Sequence, residues 1–228
     1  MIPDLEKLDA LLAELKPFNA TLVTVSKTKP KEAIEQVFKH GHYDFGENYV
    51  QELVSKHENL SKDIRWHFIG HLQSNKIKQI CPFVHLIHGV DSMQLLTALN
   101  KEALKFNRNL DILLQVHIAS ETTKFGFSED EARGCFEKMM IEPLERINVR
   151  GLMGMATFTE DEGMIKKEFH SLKLLFDELR RNVDDKTGPH FNILSMGMTS
   201  DYKIALSEGS NMVRIGSAIF GERNYAQR

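Results

Sequence analysis

The chain has 228 residues, the size of one α/β barrel or of two small domains. Its 29 Lys and Arg against 32 Asp and Glu leave a net charge of −3, which argues against a general nucleic-acid binder with its basic excess. No apolar run approaches the ~18 residues of a membrane span; charged Asp4, Glu6, Lys7, Asp9 and Glu14 stand where a signal peptide needs an apolar stretch; and Cys81 and Cys135 have no metal or disulfide spacing. The expectation is a single cytoplasmic domain over residues 1–228, with no partner among nucleic acids or membranes.

The elements follow in chain order. Pro3 to Leu15 reads as a helix through Leu5, Leu8, Leu11, Leu12 and Leu15. Thr21–Ser26 is a short strand, and the helix after it begins at Pro30 and stops at Gly41. Tyr43–Gly46, Ile64–Ile69 and Phe83–His88 are further strands, followed by helices from Tyr49, over Ser74–Ile80 and over Ser92–Phe106. Asp111–Ile118 is a buried strand by its run Ile112, Leu113, Leu114, Val116, with a helix over Glu129–Met140 after it. Val149–Met153, Asn192–Ser195 and Met212–Ile215 complete the strands; helices over Glu162–Asn182 and Tyr202–Ser207 lie between them. Eight strand–helix units of about 28 residues predict an α/β fold, a single (β/α)8 TIM barrel with an additional N-terminal helix. The competing open doubly wound sheet lacks the G-x-G-x-x-G turn after its first strand.

A barrel carries its site at the C-terminal strand ends, so the residues there are the functional candidates. Lys27 ends the first strand; a partly desolvated lysine can bond an aldehyde as a Schiff base, and Lys29 is its rival at the same parity. Gly216 and Ser217 follow the eighth strand at a turn whose amides suit an anion, and Gly197, Thr199 and Ser200 follow the seventh. An ordinary tight turn, a capped helix and a surface lysine are the structural alternatives. A lysine opposite an anion nest fits an aldehyde that carries a phosphate, either pyridoxal 5′-phosphate (PLP) or the sugar phosphate of a Schiff-base aldolase. Arg214 either faces a pyridine nitrogen, which a guanidinium leaves unprotonated, or makes a structural ion pair. His85 and His88, spaced i, i+3 on a strand, face opposite sides and make a poor chelate, so no metal is expected. Met153 and Met196 are expected at the pocket because each sits near a strand end.

Six segments together resemble the YggS/PROSC family of PLP homeostasis proteins. They are Val25–Pro30, Phe45–Glu52, Trp66–Lys76, Gly151–Met153, Leu194–Met198 and Val213–Gly221, in the same order and across nearly the whole chain. The resemblance implies a fold-type III PLP barrel like the N-terminal domain of alanine racemase, with Lys27 as the Schiff-base lysine and Lys29 a transient neighbour. It implies that Asn48 lines the pocket, that Thr199, Gly216 and Ser217 take the phosphate, and that Arg214 sits at the pyridine nitrogen. In Val116–Gly126, His117 stands where the family usually has Asn, while Glu121, Lys124 and Gly126 keep the pattern; Lys124 is a candidate second contact. His67 and His71 belong to the Trp66 segment, with packing or hydrogen bonding as their roles.

The family is regarded as having no established catalytic activity. Racemisation needs an acid and a base on opposite faces of the substrate, and in the alanine racemases one comes from a second domain for which this length leaves no room. The expectation is therefore a monomeric PLP holder that releases the cofactor to PLP-dependent apo-enzymes. A fold-type III enzyme such as an amino-acid racemase is the alternative.

Overall fold

The computed structural model describes residues 2–121, 125–182 and 190–221. Among these, strands and helices alternate: α1 (Leu5–Leu15), β1 (Thr21–Val25), α2 (Lys31–Lys39), β2 (Asp44–Glu47), α3 (Val50–Asn59), β3 (Arg65–Phe68), α4 (Ile77–Ile80), β4 (Leu86–Val90), α5 (Met93–Lys105), β5 (Leu110–Val116), α6 (Glu129–Ile141), β6 (Ile147–Gly154), α7 (Glu162–Arg181), β7 (Ile193–Ser195), α8 (Tyr202–Ser207), β8 (Met212–Ile215) and α9 (Ser217–Phe220). Each strand pairs in parallel with the next, and β8 returns to β1 through Thr21↔Met212 and Val23↔Arg214, closing the barrel in the expected (β/α)8 order.

Strand alternation divides the core in two. Leu22, Phe45, Trp66, Phe68, Ile112, Leu114, Leu152, Leu194 and Val213 face the surrounding helices. Val23, Leu86, Leu113, Met153 and Met212 fill the barrel itself. Around them the inward positions are polar: Asp44, His67, His88, Gln115, Ser195 and Arg214 are all buried. Ion pairs of Arg65 with Asp44 and of Arg150 with Asp111 lie at the strands' N-terminal ends.

Local chemistry sets the helix ends. Asp4 caps α1 by accepting the Lys7 N–H at 2.8 Å, so the helix starts at Leu5 and not at Pro3. Leu8, Leu11 and Leu15 bury its apolar face, and the Asp4 N–H donates to Ile219 O at 2.8 Å, tying the helix to α9. A capping box of Ser128 and Glu131 starts α6. The fourth strand starts three residues later than its sequence predicts. Phe83 and Val84 donate to Ile80 O at 3.1 and 2.9 Å and so close the preceding helix. As a result His85 lies before the strand while His88 points into the barrel, fully buried.

Candidate functional site

The strand ends converge on a cavity of ≈ 290 Å³. Lys27, Asn48, Thr199, Arg214, Gly216 and Ser217 all line it, with Val25, Ile69, Met155 and Met198 supplying apolar walls. Thr199 and Ser217 come from different loops, yet their hydroxyls meet at 3.1 Å. Asp201 accepts the Met198 N–H at 2.6 Å and so closes the turn before α8, while no side chain among the described residues caps α8, the structural alternative for Thr199 and Ser200. Gly216 allows the crossing of β8 past β1: a Cβ there would lie 2.5 Å from Val25 O. Asn48 Oδ1 is buried without a protein partner among the described residues, so it is left to accept a hydrogen bond from a ligand.

The methionines differ from expectation. Met153 lies one layer down in the barrel filling and Met196 faces the helices; Met155 and Met198 are the pair at the cavity. Strand alternation explains Met155, two residues after inward Met153. Gly197, at φ +96°, breaks the alternation before Met198. Lys29 also lines the cavity but is buried, and its ammonium donates to Phe220 O at 3.1 Å and Gly221 O at 2.9 Å. It thereby anchors the end of α9. Lys124 lies outside the described residues, while Glu121 accepts the Phe158 N–H at 3.1 Å. His71 stacks on Phe125 at 4.2 Å and bonds Asp91 at 3.0 Å.

The turn that carries Lys27 is clamped from behind. Thr28 holds a left-handed φ of +63°, costly for a β-branched residue, and its N–H donates to Glu52 Oε1 at 2.6 Å. Ser26 Oγ donates to Glu47 Oε1 at 2.5 Å. Lys56 Nζ spends its three donors on Ser26 O at 2.8 Å, Glu47 Oε1 at 2.7 Å and Glu52 Oε1 at 2.6 Å. Burial pushes the Glu47 carboxyl up to about 7, against the pull of Lys56. Sequence reasoning gave these residues no role. The Glu52–Lys56 spacing of i, i+4 was the available signal, but many exposed helix pairs share it.

A second polar array runs through the barrel below the cavity. Arg214 donates from Nη1 to Ser195 O at 2.9 Å and to Ser195 Oγ at 2.6 Å, and from Nη2 to Gly154 O at 3.1 Å. Ser195 Oγ lies 3.2 Å from His88 Nδ1, His88 Nε2 lies 3.0 Å from His67 Nδ1, and His67 Nε2 lies 3.0 Å from Asp44 Oδ1. Burial lowers the Arg214 guanidinium to about 10 and holds His88 well below the usual imidazole range. Burial alone would raise Asp44, but hydrogen bonds from Arg65 and His67 outweigh it and keep the carboxyl well below its ordinary value. Asp44, His67 and His85 bring one ligand atom each within 4.8 Å of one another. Arg65, however, holds both Asp44 oxygens, with Nε at 2.7 Å from Oδ1, so a metal ion there would compete with that guanidinium for the carboxylate. A further cavity of ≈ 310 Å³, lined by Phe136, Met139, Leu144 and Arg150 at the start of β6, has no lysine among the described residues that line it.

The alanine racemase N-terminal domain family matches residues 5–224. The pyridoxal phosphate homeostasis protein of Aquifex aeolicus is 39% identical over 207 residues, 90% of this chain and 88% of that one. The structure of PipY from Synechococcus elongatus PCC7942, solved with PLP bound, superposes with a TM-score of 0.83 at 31% identity, over 95% of this chain and 99% of that one. An alanine racemase of Clostridium difficile shares the fold at a TM-score of 0.73 and 17% identity, with 57% of its length covered. The extent of the first match and the identity to the Aquifex protein place the chain in the alanine racemase N-terminal domain family and, within it, among the pyridoxal phosphate homeostasis proteins.

Proposed function

We propose that the chain binds PLP in the strand-end cavity and serves intracellular PLP homeostasis by holding the cofactor and releasing it. The observation that carries this reading is the convergence of Lys27, a hydroxyl pair, a buried guanidinium and an unpartnered Asn48 oxygen on one small cavity. PLP supplies an aldehyde carbon that a lysine amine bonds with loss of water. The half-buried Lys27, on its clamped turn, presents that amine. Thr199, Ser217 and the Gly216 amide would hold the phosphate, Asn48 would bond the ring's edge, and Arg214 would meet the pyridine nitrogen as a donor. A guanidinium has no proton-accepting site, so that nitrogen stays unprotonated and the ring is a weak electron sink.

The lining favours holding over turnover. Among the described residues around the cavity, the titratable side chains are Lys27, Lys29 and Arg214. No carboxylate, imidazole or phenol there supplies the second acid–base group that racemisation needs. The relatives named for homeostasis are matched over nearly nine tenths of their length, the racemase over 57%. We read the protein as a cytoplasmic monomer that passes PLP to apo-enzymes. Borohydride reduction followed by peptide mapping tests the site: an imine absorbance band lost on reduction, with the label on Lys27, is the expected result. Label only elsewhere, or no bound PLP, refutes it. Sustained exchange of an amino acid's α-proton, abolished in Lys27→Ala, would establish the enzyme reading instead.

A further inference from the structure

The Arg214 guanidinium is buried where it lines the cavity, and its three hydrogen bonds end on neutral oxygens. The chain of side chains behind it ends on an anion. Hydrogen-bond inventory fixes the direction of that chain when both imidazoles are neutral. Ionised Asp44 only accepts, so His67 donates from Nε2 and keeps Nδ1 as acceptor. His88 must then donate from Nε2 to His67 Nδ1, which leaves His88 Nδ1 to accept the Ser195 hydroxyl. Ser195 Oγ in turn accepts from Arg214 Nη1, a donor at neutral pH. Every donor therefore points the same way, from the cation near the cavity to the anion at the other end of the barrel. Neutral rings satisfy all four bonds with one tautomer for each histidine. Oriented chains of this kind polarise one another in a low-dielectric interior.

We propose that Asp44 is the counter-charge of Arg214, coupled to it through His67, His88 and Ser195 as one oriented hydrogen-bond chain that sets how strongly the guanidinium donates into the cavity. Ser195, His88, His67 and Asp44 are positioning residues in this scheme, since none of them lines the cavity. Only the identity of the receiving atom, the pyridine nitrogen, rests on the PLP reading. Other charges near the chain are Arg65 on Asp44, Asp201 acting on Arg214 by its field, and His85, whose side chain reaches the surface and which desolvation lowers to about 4.

Two measurements on the protein without cofactor decide the chain. Histidine side-chain ¹⁵N–¹H correlation spectra are expected to show His67 and His88 each protonated on Nε2 alone at neutral pH. An Nδ1–H tautomer or a doubly protonated ring at either position overturns the proposal, and this measurement needs no variant to fold. In the second, the Arg214 Nη resonances are expected to shift in Asp44→Asn and stay in place in Arg150→Gln, which breaks the other ion pair at the same end of the barrel and touches no member of the chain. Ser195→Thr, which keeps the hydroxyl, should restore what Ser195→Ala loses. Unmoved Arg214 resonances in a folded Asp44→Asn protein overturn the coupling. Loading with PLP labelled by ¹⁵N in its ring adds a third readout: the ring-nitrogen resonance is expected to move in Asp44→Asn and not in Arg150→Gln. With PLP bound, an unmoved ring nitrogen overturns transmission to the cavity. Failure of the native protein to take up the probe refutes the site reading instead, and the guanidinium spectra still decide the chain.

Discussion

Glu47 shows how much a single buried carboxyl governs here. Its Oε1 gathers Ser26 Oγ and Lys56 Nζ, while Oε2 has no partner among the described residues. Burial raises it from its ordinary 4.5 to about 7. Between those values the unfolded chain has released this proton and the folded chain has kept it, so the unfolded state binds fewer protons. Stability from this group therefore falls as pH rises from 4.5 to about 7 and is level above. Glu47→Gln is expected to flatten that decline in urea unfolding measured across the same window. An unchanged slope would assign the decline to other groups. The same variant weakens the clamp on Ser26, so PLP uptake at Lys27 should slow or weaken while the fold persists.

Among the elements, β6 carries the tightest constraint. Its pairing with β5 shifts by one residue between Val149 and Gly151, a β-bulge. Gly151 has φ +150°, and a Cβ there would lie 1.8 Å from Ile193 O on β7. Gly151→Ala must push the β6 and β7 backbones apart, so a loss of about 3 kcal/mol or more is expected, read from denaturant midpoints at constant slope. This bulge reverses the inward parity along β6, which lets Met153 and Met155 face inward beyond it. The same reasoning explains why β4 begins late: the end of α4 competes for the chain and wins Phe83 and Val84 as donors. Element type follows from periodicity, whereas element ends depend on which carbonyl captures each N–H.

At the scale of the whole molecule, the cavity exists only because β8 closes on β1. Closure sets Lys27 opposite Ser217 and lets Lys29 hold the carbonyls of Phe220 and Gly221 across the seam. A ligand bound there stabilises the closed state by mass action, by ~2.7 kcal/mol at one hundred times its dissociation constant. Added PLP is thus expected to raise Tm in a concentration-dependent way. Lys27→Ala should lose most of that rise while keeping the Tm of the cofactor-free protein, as measured by calorimetry. An equal rise in the variant would show that phosphate contacts elsewhere hold the ligand.

The alternation of strand and helix, the parallel barrel and the strand-end residues Lys27, Thr199, Arg214, Gly216 and Ser217 were legible in the linear sequence, because strand ends and loop chemistry are local properties, whereas Asn48 came only from the family resemblance. The clamp of Glu47, Glu52 and Lys56, the anchoring of Lys29 and the line from Asp44 to Arg214 were not. Their members come from segments up to 192 residues apart, as in the bond of Lys29 to Gly221 O. His67, read as packing or hydrogen bonding, and His88, set aside as a poor metal ligand, became neighbours only when β3 and β4 turned them inward at the same level. The sequence by itself determined which chemistry stands at each strand end. The tertiary structure decided which of those groups share a cavity and which buried charges answer one another, because barrel closure, register and a bulge place side chains in space and no local pattern encodes them.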